Sequence, residues 1–421
     1  MNEFDGFVDE IRDLGGITFI KLNTPTGYRQ VTINKKSASK EILDALEKLT
    51  RQSCIRVFGS EKPDPTTPGR MEIVPSSIEV ISIAKEPLPL DPSGKTPALL
   101  DTRLDWRSLD LRNQRNRNIF KIESKLMQGM SEYFLKNDFI QVFTPSLMGA
   151  PAESGSEVFP VVYYDKTAYL RQDPQLHREL SILGGINKLF EIGPSWRAEA
   201  SHTVRHLSEH RTCAAEIGYI KDENDVIKLE IEMIRHAFEF VKKSCKEELE
   251  KFGIELEVPS PDPVVLKFPE VYDIIESMGG KVKRGEDYDK TGEDLLGKYV
   301  KEKYKTDFFF VDKFPFAVKP FYVMRFDDEP EWARSVDFIY KGMEMSSGGQ
   351  REHRYSKLVE QIKEKGMSFS NLEWFVKFFE YGAPTMGGFS IGIERMVMKM
   401  LNLENVREAA LFPRDPERLL P

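Results

Sequence analysis

The chain has 421 residues, 40% of them hydrophobic and 11% aromatic, enough for two or three domains that each bury a core. A net charge of −8 argues against a general nucleic-acid coat protein, though not against a protein that holds one RNA through local basic patches. No run approaches the roughly 18 apolar residues of a membrane span, the acidic start MNEFDGFVDEIRDLGG does not read as a signal peptide, and the three widely spaced cysteines imply no disulfide framework. A cytoplasmic protein with no membrane partner is expected.

In residues 1–86, short alternating runs over 17–22, 29–33, 54–58, 71–74 and 78–83 predict five strands. Turn residues separate them, and a helix over 41–49 lies between the second and third. That pattern fits a small β-barrel of the OB type, a scaffold that stacks bases on exposed aromatics; a β-sandwich or an SH3-like barrel shares the signature. Residues 87–112, opening Pro87-Leu-Pro-Leu-Asp-Pro-Ser-Gly94, form a stiff hinge. Residues 113–421 predict a large α+β body built on an antiparallel sheet, with strands near 139–143, 159–164, 168–171, 188–192, 214–220, 308–312 and 321–326 and a long helix over 223–252. Basic clusters at Arg103-Arg107-Arg112, Arg115-Arg117 and Lys281-Lys283-Arg284 are candidate RNA contacts or solvated charged faces.

Two distant segments carry chemistry: WRAEASHTVRHLSEH from Trp196 to His210, and GGFSIGIERM from Gly387 to Met396. Both present arginines, whose planar forks match phosphate oxygens. Arg197 and Glu199 would share a face if on a strand, the alternative being a surface ion pair. Arg205 and His206 follow in a loop. His202, His206 and His210 recur every four residues with Cys213 nearby, a zinc face if helical, though the polar surroundings favour a loop. Asp337 and Glu344 bracket Phe338-Ile-Tyr-Lys-Gly-Met343 and suit magnesium on a nucleotide, beside Ser347 and Arg351. Arg395 follows a glycine-rich turn and projects from the first turn of a helix, where the dipole favours anions. No Gly-x-x-x-x-Gly-Lys-Ser/Thr phosphate loop is present.

In this order the segments resemble a class II (subclass b) aminoacyl-tRNA synthetase, the aspartyl enzyme of archaeal and eukaryotic type. Phe139-Ile-Gln-Val-Phe-Thr-Pro145 looks like motif 1, Trp196 to Glu216 like motif 2, Gly387 to Arg395 like motif 3, and Leu411-Phe-Pro-Arg-Asp-Pro-Glu-Arg-Leu-Leu-Pro421 like the family's usual ending. The resemblance implies an N-terminal anticodon-binding OB barrel, a class II antiparallel-sheet catalytic domain and a homodimer. It implies ATP-dependent activation of L-aspartate and its transfer to tRNA for Asp, with Asn tRNA as a second acceptor. The nucleotide residues would be Arg197, Glu199, Arg205, His206, Leu207, His210, Glu344, Gly392 and Arg395, with Arg197 and Arg395 catalytic. Glu153, Gln175, Arg178, Arg197, Ser347 and Arg351 would hold the amino acid, Asp337, Glu344 and Ser347 Mg²⁺, and Phe19 and Gln30 the anticodon.

The sequence departs from the family at the amino-acid end. Gln172-Asp-Pro-Gln175 stands where Gln-Ser-Pro-Gln is usual, Arg178 replaces a lysine, Ala214 an aspartate, and Thr385-Met386 the Pro-His before the two glycines. His210 takes the place of a phenylalanine that stacks on adenine. Arg178 and Arg351 still favour an anionic side chain. The alternatives are an asparaginyl enzyme, a paralogue that adenylates another small amino acid, and a non-catalytic RNA-binding regulator.

Overall fold

The computed structural model describes residues 2–65, 67, 69–149, 157–200 and 203–420, divided between two units, 1–117 with 421 and 118–420. In the first unit, β1 (Asn2–Asp13), β2 (Ile17–Thr24), β3 (Gly27–Asn34), β4 (Cys54–Pro63) and β5 (Met71–Ser82) close a barrel in the order β1-β2-β3-β5-β4. Alternation points Val8, Ile20, Leu22, Val31, Ile33, Ile55, Val57 and Ile73 inward, each no more than 2% exposed. The helix Lys40–Lys48 is capped by the Ser39 hydroxyl, which accepts from the Ile42 amide.

Five strands are present as expected, but not the same five. The acidic N-terminal segment is a strand, and the runs over 71–74 and 78–83 are one long strand, β5. Pro75 and two serines interrupt the apolar pattern of β5, and they face an irregular stretch of β4 pairing rather than a turn.

In the second unit, β6 (Ile140–Gln141), β10 (Lys188–Trp196), β11 (Glu209–Gly218), β12 (Val264–Lys267), β13 (Phe308–Asp312), β14 (Ser335–Tyr340), β15 (Glu344–Arg351) and β16 (Met386–Gly392) form one eight-stranded sheet. Its order is β12-β13-β14-β15-β16-β11-β10-β6, antiparallel except for the parallel pairs at its two ends. A separate three-stranded sheet joins β7 (Leu147–Met148), β9 (Lys166–Leu170) and β8 (Pro160–Tyr163).

Residues 321–326, expected as a strand, make only isolated bridges through Val323 and Arg325. The long helix expected over 223–252 breaks at Cys245 into Glu223–Ser244 and Lys246–Phe252.

One face of the large sheet is covered throughout. Ile119, Leu126 and Phe134, with Ile231, Ile234 and Phe238, pack on Cys213, Ala215, Phe389 and Ile391. The other face is covered only toward its ends. Val271, Ile275, Leu296 and Val300 seat on β13 and β14, while Leu176, Ile182, Leu358 and Phe375 gather by β10. Between these clusters β15, β16 and β11 leave their face open.

The segment GGFSIGIERM is the central strand β16 and the start of the helix Ile393–Met400, not a glycine-rich turn. Its glycines serve close strand contact. A Cβ on Gly388 would stand 2.1 Å from the Ala215 carbonyl oxygen and 2.3 Å from Glu216 Oε2. Gly388→Ala should therefore cost roughly 1–3 kcal/mol by overpacking, read as a lowered midpoint in urea unfolding; an unchanged midpoint would show that the sheet can give.

Candidate functional site

Pairing across the open strands decides which side chains meet. Residues opposite one another share a face, and β11, β16 and β15 align Ala214 with Ser390 and Ser390 with Ser347. Thr212, Ala214 and Glu216 therefore face the opening, while Cys213 and Ala215 enter the core. A cavity of about 270 Å³ lies over these strands, lined among others by Gln175, Arg197, Arg205, His206, Leu207, His210, Glu344, Ser347, Arg351, Gly392 and Arg395.

At one end three arginines gather and their charge is only partly compensated. Arg197 follows β10, which stops at Trp196, so the strand alternation expected for Arg197 and Glu199 does not apply. The two are half-exposed and 4.0 Å apart, and Glu199 is not among the cavity-lining residues. Arg205 donates to Glu293 at 2.8 Å, and its carbonyl accepts from Arg395 Nε at 3.3 Å. Burial lowers the pKa of Arg395, and Arg197 and Arg205 repel it further. His206 bonds through Nδ1 to Thr203 Oγ1 at 2.6 Å. Burial first, and then the arginines, depress both histidines, His210 to about 3. These rings stay uncharged at neutral pH, and of the three guanidiniums Arg205 is paired with Glu293 while Arg197 and Arg395 have only weaker carboxylate partners, so the group favours an anion. The zinc face does not form among the described residues, where no group of three metal-binding side chains occurs; His202 lies outside them.

On β14 and β15 stand two carboxylates. Asp337 pairs with Ser347 across β14 and β15. Glu344 and Ser347 are three apart, which on a regular strand would place them on opposite faces. An irregularity in the pairing, where Phe338 and Ile339 face Ser346 and Glu344, leaves Met345 as the extra residue and puts both on one face. Burial raises the Asp337 pKa and repulsion from Glu344 adds to it, while Lys319, 2.9 Å from Asp337 Oδ2, opposes them. Two carboxylates in mutual repulsion beside a hydroxyl are hard oxygen donors that fit Mg²⁺ shared with phosphates. Lys319 partly occupies that role, and no spacing in the sequence pointed to it. Glu344 is itself held in place by its amide, which donates to Glu293.

The third region is a buried charge network. Gln175 donates to Glu179 at 3.1 Å and to Glu216 at 3.0 Å, and its oxygen accepts from Arg178 and Arg351. Arg351 Nε donates to Glu216 at 2.9 Å, and Arg178 Nη2 to Asp173 at 2.5 Å. Burial pushes the Glu179 carboxyl up. Arg178 is 1% exposed and acts from behind the cavity wall. Both arginines expected to await an anion already hold one. Asp173 and Glu216 are the partners that sequence reasoning missed; the only signal was the unusual Gln172-Asp-Pro-Gln175. Glu153 lies outside the described residues.

Phe19 and Gln30 are in the barrel, on the outward face of β2 and β3. Phe19 lies opposite Thr32, and Lys21 opposite Gln30. Gln30 is within 3.4 Å of Thr32 and 3.5 Å of Glu72. Two of the basic clusters are partly neutralised: Arg103 and Arg107 clamp Asp110 at 2.9 and 2.8 Å, and Lys283 and Arg284 pair with Glu286 and Asp273. No helix among the described residues is long and apolar enough to cross a membrane.

Residues 100–416 match the family of class II tRNA synthetases (D, K and N), and residues 4–81 match the OB-fold nucleic acid binding domain. The chain is 42% identical over 416 residues to the aspartate–tRNA(Asp) ligase of Pyrococcus horikoshii, covering 99% of this chain and 95% of that protein. It is 40% identical over 418 residues to the aspartate–tRNA(Asp/Asn) ligase of Aeropyrum pernix, covering 99% and 94%. The asparaginyl-tRNA synthetase of P. horikoshii in complex with asparaginyl-adenylate superposes with a TM-score of 0.92 at 31% identity, covering 100% of this chain and 96% of that one.

Because His210 is held neutral, the unfolded chain takes up a proton near pH 6.5 that the folded protein refuses until about pH 3. Its contribution is complete above pH 6.5 and lost as pH falls toward 3. Urea unfolding at pH 7 and pH 5 should show a larger loss for the wild type than for His210→Asn; equal losses would mean the ring is not held neutral.

Proposed function

The chain belongs to the class II tRNA synthetases of the D, K and N group, and on that premise we propose that it activates L-aspartate with ATP and esterifies it to tRNA, with Asp tRNA as acceptor and Asn tRNA as a second. As an aminoacyl-tRNA synthetase it is a ligase. The observation that carries the reading is the convergence of Arg197, Arg205 and Arg395 on one cavity that Glu344 and Ser347 also line, with Asp337 opposite Ser347 on the next strand.

Arg197 binds the α-phosphate and the amino acid's carboxylate, Arg205 and His206 the outer phosphates, and Arg395 the γ-phosphate. Uncharged His210 stacks on adenine, while Glu199, Leu207 and Gly392 complete the nucleotide site. Asp337, Glu344 and Ser347 would hold Mg²⁺, which when bound would screen phosphate charge. A carboxylate oxygen of the amino acid attacks the α-phosphorus in line and pyrophosphate leaves. The terminal ribose hydroxyl of tRNA then attacks the acyl carbon and AMP leaves. The chain's own groups position the reactants and stabilise developing charge.

Gln175 and Ser347 line the amino-acid end, Arg351 receives the side chain, and Arg178 supports it from behind. Glu153 is the carboxylate that pairs with the amino group. Asparagine is the second reading, favoured by the Asp173 carboxylate on the cavity wall. In the barrel, Phe19 stacks on an anticodon base and Gln30 reads one. Exposed Ile140 and Phe143 support a homodimer formed beside the edge strand β6. The three free cysteines fit a cytoplasmic setting.

Pyrophosphate exchange with each amino acid in turn tests the activity; exchange with none would end the enzyme reading. Arg395→Ala should lower exchange by about 10²–10³-fold, the cost of one charge-stabilising donor, with an unchanged melting temperature. Near-normal turnover would remove its role. Phe19→Ala should raise the aminoacylation KM for tRNA roughly tenfold, in line with about 1–3 kcal/mol per stacked base; an unchanged KM would move recognition off this face.

A further inference from the structure

The deep end of the cavity is electrically balanced, and one of its charges is placed differently from the rest. Arg171, Arg178 and Arg351 face Glu191, Glu216 and Asp173, paired at 2.7 Å (Arg171–Glu191), 2.9 Å (Arg351–Glu216) and 2.5 Å (Arg178–Asp173). The side chains of Glu191 and Glu216 are 4% and 0% exposed, so both are buried beneath the cavity floor. Asp173 is 35% exposed and lies on the cavity wall. It also accepts a hydrogen bond from Ser390 and feels the field of Arg351.

Asp173 therefore presents a carboxylate on the cavity wall, bonded to Arg178 and within the field of Arg351, the guanidinium that would receive an acidic substrate side chain. With it in place no cation in this group lacks an anion. If it withdraws, Arg178 stays buried with its bond to Gln175, Glu191 at 3.9 Å and the more distant field of Glu216 but no carboxylate in direct hydrogen-bond contact, a costly state unless another anion enters. A second carboxylate beside an undisplaced Asp173 would meet a like charge in a poorly solvated site. A side-chain amide would not, because its NH₂ can donate to Asp173.

We propose that Asp173 is a tethered competitor for the acidic-side-chain seat: an aspartate substrate binds by displacing it from Arg178, whereas an amide side chain binds with it in place. Asp173 thus sets the balance between acid and amide. The inference rests on the cavity being the amino-acid site. Asp173 precedes the helix Gln175–Leu183 on a short loop, and a swing of its side chain breaks no strand pairing.

The test is pyrophosphate exchange with aspartate and with asparagine on the wild type, Asp173→Ser and Asp173→Asn. Both variants remove the charge, and the asparagine variant keeps the shape, so it decides the matter if the serine variant folds poorly. The KM for aspartate should fall about tenfold, equivalent to about 1.4 kcal/mol, with kcat changing far less. The preference for aspartate over asparagine should rise with it. An aspartate KM that is unchanged or higher in the folded variants overturns the proposal. A wild type that activates neither amino acid overturns the underlying reading of the cavity instead, so the two failures are distinguishable.

Discussion

The site depends on one steric allowance, the absence of a side chain at Gly388. Glu216 lies directly under that position, with its carboxylate oxygen 2.3 Å from where a Cβ would be. Glu216 in turn holds Arg351 and Gln175, and Gln175 connects to Arg178. A buried carboxylate with two partners of this kind is stable only because its lone pairs are filled. The glycine in the middle of a sheet is thus the condition for a charged floor beneath the cavity, not a turn or a phosphate-binding loop.

The two ends of the cavity follow opposite electrostatic rules. At the deep end each guanidinium has a carboxylate within salt-bridge distance, so little charge is left over. At the arginine end Arg197, Arg205 and Arg395 repel one another and depress the neighbouring histidines. With only Arg205 firmly paired, to Glu293, the positive charge left over attracts a polyanion. Across from it, Asp337 and Glu344 are in the reverse condition, with Lys319 relieving part of their repulsion. The face is preorganised by unresolved charge on both walls, and the ligand completes the balance.

The family was legible in the sequence because its motifs are local strings. The Arg197–His210 segment, the Gly387–Arg395 segment and the alternating barrel runs each show their residue types within a few positions. Strand membership was less legible where the pattern was diluted. The segment Asn2–Asp13 reads as acidic and amphipathic because its partners supply the apolar contacts, and β5 looks like two strands because Pro75 interrupts it. The basic clusters looked like an RNA surface, yet Arg107 is buried against Asp110. Sequence adjacency of like charges says nothing about the carboxylates that folding brings to them.

The sequence by itself determined the residue types of a polyphosphate site and the order of the segments that carry them. The tertiary structure decided which carboxylate each arginine keeps. Asp173 is five residues from Arg178, but Glu216 and Arg351 are 135 apart, and Lys319 reaches Asp337 from a different element. It also decided, through one extra residue at Met345, that Glu344 and Ser347 face the same way. Pairing of charges in a buried site is set by register and close approach of strands, and those depend on contacts distant in the chain, which no local pattern encodes.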